Sequence, residues 1–86
     1  MMSVYSIKDC KSQTFSGLYP IANDALAIRA FSSEDIKNNY RMIKEFPGDF
    51  QLFRVGTFDD VTGVLVSDVK HVADFNDLFG VSQHGN

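Results

Sequence analysis

The segment Phe50 to Phe58, Phe-Gln-Leu-Phe-Arg-Val-Gly-Thr-Phe, constrains the fold more than any other part of the chain. A Pro47-Gly48 corner precedes it, and an Asp59-Asp60-Val61-Thr62-Gly63 turn follows. The corner ends any helix before it, because a proline ring clashes with the helical backbone of the preceding residue. The segment is rich in aromatic and β-branched residues, so it reads as a strand. Its alternation is imperfect. Phe50, Leu52 and Phe58 are expected on one face, Phe53 and Val55 on the other. A strand apolar on both faces is either central or part of an interface. Asp opens tight turns through its own side chain and Gly closes them, so Phe58 to Leu65 is expected to form a hairpin.

The remaining segments fill in around this strand. Ser3 to Asp9 alternates, with Tyr5 and Ile7 on one side, and predicts a first strand. Phe15 to Ile21 predicts a second, interrupted by Gly17 and ended near Pro20. Asn23 is a good N-cap, and Asp24 places negative charge in the first helical turn. Ala27, Ala30 and Phe31 form an apolar stripe beside Leu26. Ser32-Ser33-Glu34-Asp35 either continues that helix or starts a new one capped by Ser32. The pattern predicts a helix from about Asp24 to Asn38 and a shorter piece from about Asn39 to Glu45, kinked around Asn38-Asn39. Val64 to Val66 reads as the fourth strand. Val69 to Phe79 places apolar residues at helical spacing before Gly80 and predicts a last helix. The order β-β-α-α-β-β-α implies an α+β fold, a four-stranded mainly antiparallel sheet with helices packed on one face.

With 86 residues the chain fits one domain, expected over 1–81, followed by a flexible C-terminal tail at 82–86. Eight Phe and no Trp mean that Phe must carry much of the core. Net charge is −3, which argues against strong non-specific DNA binding by a monomer. Cys10 is the single cysteine, so one chain cannot build a disulfide framework, and a reducing cytoplasm fits. No signal peptide and no apolar run long enough for a membrane span is read.

Catalytic patterns are not read either. His71 and His84 lack partners at metal-ligand spacing and are expected on the surface. Asp49, Asp59 and Asp60 lack the calcium-loop pattern and read as turn residues. Cys10 has no identifiable base. No phosphate loop or dinucleotide fingerprint occurs. The expectation is therefore a non-enzyme with no cofactor and no metal. A weak nucleic-acid pattern remains. Lys8 and Lys11 flank the first hairpin loop, Arg29, Lys37, Arg41 and Lys44 recur through the helical region, and Arg54 lies in the aromatic strand. These are candidate phosphate contacts, with Tyr5, Tyr19 and Phe53 as candidate stacking faces for unpaired bases.

Three blocks occur in a fixed order. They are Ala27-Ile28-Arg29-Ala30-Phe31, then Pro47-x-Asp49-Phe50-x-Leu52-Phe53, then Val55-Gly56-x-Phe58-Asp59-Asp60-x-Thr62-Gly63. This arrangement, covering roughly Ser3 to Val66, resembles the small nonstructural protein of gokushoviruses, single-stranded DNA phages of the Microviridae. The resemblance implies a counterpart of the microvirus C protein, made in the host cytoplasm and acting in single-stranded DNA synthesis and genome packaging. It implies single-stranded DNA or phage replication and procapsid proteins as partners. It attaches no catalytic residues. Where the family corner reads His-Pro-Glu-Asp, this chain has Phe46-Pro47-Gly48-Asp49, which removes a His. Beside the DNA reading stands a homodimeric protein–protein adaptor that uses the Phe50–Phe58 strand as its interface.

Overall fold

A computed structural model describes residues 1–80; the tail expected at 82–86, with His84, lies outside them. Four strands, β1 (Met2–Asp9), β2 (Thr14–Ile21), β3 (Phe50–Phe58) and β4 (Leu65–Asp74), form one sheet in the order β2-β1-β3-β4. Every neighbouring pair is antiparallel. Three short helices, α1 (Asp24–Phe31), α2 (Glu34–Asn39) and α3 (Arg41–Glu45), join β2 to β3 through a 3-10 turn at Pro47–Asp49. A one-turn helix, α4 (Phe75–Leu78), follows β4. The fold is the expected α+β class.

The core forms where the sheet meets the helices. Tyr5 and Ile7 of β1 and Phe50 and Leu52 of β3 point into it. Ala27 and Phe31 of α1, Ile43 of α3 and Phe75 of α4 meet them from the helical side. The methyl of Ala27, fully buried, lets α1 lie close to the strands. Phe31 stands edge-on to both Tyr19 and Phe75, a favoured arrangement of ring quadrupoles.

The helical region divides once more than the sequence pattern predicts. Asn23 caps α1 as expected, its side chain accepting from the Leu26 N–H at 2.9 Å. The Ser32 hydroxyl then bonds back to the Ile28 carbonyl at 2.7 Å, and the Ser33 side chain caps α2 by accepting from the Ile36 N–H. A new helix therefore starts at the serine pair, with the cap at Ser33 and not Ser32. Tyr40 separates α2 from α3, close to the kink expected at Asn38-Asn39.

The larger correction concerns β4. The segment expected as a helix from Val69 is strand as far as Asp74, and α4 is only four residues long. Two bulges explain the misleading pattern. Leu52 pairs with Ala73 and Phe53 with His71, so Val72 is an inserted residue. Arg54 pairs with Lys70 and Gly56 with Ser67, so a second residue is inserted between them. Each insertion shifts the phase of the alternation, and the apolar residues fall at the uneven spacings of a helix. A bulge at Val55 has the same effect on β3. Gly56 pairs with Val4 whereas Arg54 pairs with Tyr5. Phe58 is thereby carried to the face opposite Phe50 and Leu52, with which the alternation had grouped it.

At Gly56 the β3 and β4 backbones come very close. A Cβ there would collide with the Val66 carbonyl oxygen. The hairpin turn beyond is built as expected. Asp59 Oδ1 accepts from the N–H groups of Val61 and Thr62 at 2.9 and 3.2 Å. Gly63, with φ 79°, closes the turn through its N–H to the Asp59 carbonyl. These backbone donors hold the Asp59 carboxyl below the usual carboxylate range.

Candidate nucleic-acid interface

Helices cover one face of the sheet and leave the other open. Strand register fixes which side chains share the open face. Tyr5 and Ile7 point into the core, so Ser6 and Lys8 point away from it. Lys8 is paired with Phe15 of β2 and with Gln51 of β3, and Gln51 with Asp74 of β4. One row across the face thus reads Phe15, Lys8, Gln51, Asp74. The adjoining row places Ser6 beside Phe53 and Phe53 beside His71.

These side chains form a continuous surface. The Phe15 and Phe53 rings meet edge to face with centroids 5.3 Å apart, and Phe53 meets His71 in the same way at 5.5 Å. The small Ser6 side chain is buried on this face, with its hydroxyl donating to the Ser16 carbonyl. Lys8 Nζ lies 5.8 Å from the Phe15 centroid and 5.6 Å from that of Phe53, within cation–π range. His71 Nε2 contacts Asp74 Oδ1 at 2.8 Å, and Gln51 Nε2 donates to the same oxygen at 3.0 Å. Cys10 Sγ in turn donates to Gln51 Oε1 at 3.4 Å. The His71 contact, and then that of Gln51, lowers the Asp74 carboxyl below its ordinary value. The network holds the imidazole in one orientation against Phe53. Among the described residues, no group of three or more His, Cys, Asp and Glu side chains converges as a metal centre.

The remaining candidate cations divide among other places. Lys11 sits in the β1–β2 turn, where its N–H donates to Asp9 Oδ1. Lys37, Arg41 and Lys44 gather on the helical side around a hollow of about 350 Å³ shared with Asn38 and Glu45. Two of those three cations are already engaged. Lys37 lies 3.5 Å from Glu34 and over the Phe79 ring, and Arg41 lies 3.4 Å from Glu45. Arg29 is exposed in the last turn of α1. The seven candidates therefore do not form one basic surface.

Arg54 and Tyr5 serve the fold. The Tyr5 hydroxyl donates to Asp24 Oδ1 at 2.6 Å, and Arg54 Nε lies 3.7 Å from the same oxygen, close enough for an ion pair and too far for a hydrogen bond. Asp24 thus ties the first turn of α1 to both central strands. Tyr5 is fully buried, so its ring has no face to offer a base. Burial first, and the Asp24 contact second, push its phenol upward. Tyr19 is half-buried on the helical side, packed on Phe31 with its hydroxyl 3.2 Å from that of Tyr40. That contact, with burial added, pushes the Tyr19 phenol up to about 12. Of the three rings read as stacking faces, Phe53 alone lies on the open face. Phe15 and His71, its neighbours there, were not read as stacking faces from the sequence pattern. The hairpin pairing of Lys8 with Phe15 across the Asp9–Thr14 turn was the signal that could have found Phe15.

No helix among the described residues is long and apolar enough to cross a membrane. No curated protein and no solved structure matches the chain. A family model described as Phage ORF5 protein does match, over residues 2–78, from the first residue of β1 to the last of α4. With the match spanning the whole sheet and every helix, the chain belongs to the Phage ORF5 protein family.

Proposed function

We propose that this phage protein is a non-catalytic accessory factor of single-stranded DNA synthesis and genome packaging. In this reading it acts in the host cytoplasm and holds single-stranded DNA across the open face of its sheet. Phe15 and Phe53 stack unpaired bases, and Lys8 and Lys11 contact the adjoining phosphates. The carrying observation is the placement of Lys8 over both rings on the face that the described helices leave open. Rings beside a cation are what sequence-tolerant binding of unpaired bases requires. The gokushovirus-like motifs add the replication setting. With few phosphate contacts and a net charge of −3, binding is modest and weakens with salt along a shallow slope.

Fluorescence anisotropy with a labelled oligo-dT at low salt tests this. Wild type should retain the oligonucleotide and release it as salt rises. The double variant Phe15→Ala/Phe53→Ala should weaken binding by about tenfold or more, since each stacked base contributes about 1–3 kcal/mol. Charge reversal at Lys37, Arg41 and Lys44 should matter less. If that triple variant abolishes binding while the ring variant does not, the helical side is the interface. No retention by wild type at low salt removes the direct-binding reading and leaves the protein–protein adaptor, which the exposed apolar residues Val64, Leu65, Val66 and Val69 favour.

A further inference from the structure

The sheet has two edges, and they are protected by different means. Edge strand β2 carries Pro20, which has no N–H to offer, and bulges at Gly17, where φ is 77°. Edge strand β4 also has inserted residues, at Val72 and between Ser67 and Lys70, but contains neither Pro nor Gly over its ten residues. Its residues 65–71 are all exposed, including Leu65, Val66 and Val69. An edge is usually guarded by charge, and β4 has two charged residues near its middle, Asp68 and Lys70. They are of opposite sign and form an ion pair with each other at 3.6 Å. Central strand β3 pairs with β1 on one side and β4 on the other. Its backbone therefore cannot pair with a further strand.

We infer that β4 is a self-association edge, which pairs antiparallel with β4 of a second copy about a two-fold axis at Val69. From Ser67 to His71 the sequence of β4 is self-complementary when reversed about that residue. Asp68 then faces Lys70 of the partner subunit, and Lys70 faces Asp68 of the partner subunit. Ser67 meets His71 of the partner subunit, both on the open face, and the two Val69 side chains meet on the axis. Asp68 and Lys70 each find an opposite charge and Val69 finds Val69, which are pairings that stabilise a sheet. Ion pairs within each chain are exchanged for pairs between chains. The two sheets merge into one of eight strands, and the two open faces become continuous at His71. A closed two-fold contact of this kind uses the same patch on both subunits. The inference rests on the edge alone and is independent of DNA binding.

Sedimentation equilibrium on the full chain tests it, with a charge reversal and its rescue. Wild type should be a dimer in reversible exchange with monomer. Asp68→Lys places Lys against Lys at two symmetric contacts and should raise the dimer dissociation constant by about tenfold or more. The double variant Asp68→Lys/Lys70→Asp restores opposite charges in the reversed register and should recover most of the loss. Circular dichroism should be unchanged for both, since the two side chains are exposed. A wild type that stays monomeric at its highest soluble concentration overturns the inference. So does a dimer that Asp68→Lys leaves intact, or one that the double variant fails to restore.

Discussion

The two faces of the sheet use the same residue type for opposite ends. On the covered face Phe31 and Phe75 meet edge-on at 6.3 Å, and on the open face Phe15 and Phe53 meet edge-on at 5.3 Å. The local geometry is alike, but Phe75 is 0% exposed and Phe15 is 45% exposed. Covered rings lose their water to the core, and that loss holds the fold together. Open rings keep part of their surface available. Polar groups divide in the same way. Tyr5, Asp24 and Arg54 fasten a helix to the strands on one side, while Lys8, His71 and Asp74 remain at the surface on the other. Phenylalanine content alone therefore says little about what a ring does in this protein; the strand register decides it.

Substitution sharpens this contrast most strongly at Phe75. Phe75→Ala should cost about 3–5 kcal/mol in urea unfolding, from lost burial and the cavity left behind. The same change at Phe15 should cost well under half as much, and equal costs would erase the distinction between the faces. Gly56→Ala comes next, at about 1–3 kcal/mol. The added methyl meets the Val66 carbonyl, and the β3–β4 ladder must shift to admit it. Hydrogen exchange should show the loss first in β4.

Alkaline titration probes the covered side with a smaller effect. The phenols of Tyr5 and Tyr19 sit above their ordinary value of 10.0. A raised acid favours its neutral form in the folded state, so its contribution is fully present below pH 10.0 and is lost as pH climbs towards about 12. Thermal melts should fall across that window. Tyr19→Phe should flatten the fall; an unaltered slope would deny the Tyr19–Tyr40 contact. On the open face the smallest effect belongs to Asp74, whose carboxyl is depressed from 3.8. The stability it contributes is present above that value and fades as pH drops through the lowered one. His71→Ala should return the Asp74 titration, followed by NMR, towards the ordinary range.

Much of the fold was legible in local chemistry. Asn23 as a cap, the Asp59–Gly63 turn and β3 from Phe50 to Phe58 each depend on residues close together in sequence. Features that depend on pairing were not legible. β4 resembled a helix because two insertions, set by its partner strand, disturbed its period. Tyr5 looked like a ring able to stack because alternation divides a strand into faces without saying which one the helices will cover. The open-face cluster is assembled from Lys8, Phe15, Phe53 and His71, one from each strand. No spacing within a single segment could bring them together.

Strand order also has a consequence for how the chain reaches this state. The hairpins β1–β2 and β3–β4 are local, but the seam between β1 and β3 joins strands from the two ends of the helical segment. Closing that seam means closing a loop of about 40 residues, an entropy cost the two hairpins avoid. The hairpins should therefore zip early, and docking of one on the other should set the folding rate. Asp24, held between Tyr5 and Arg54, lies at that seam, so its loss should slow folding more than its modest contribution to stability would suggest.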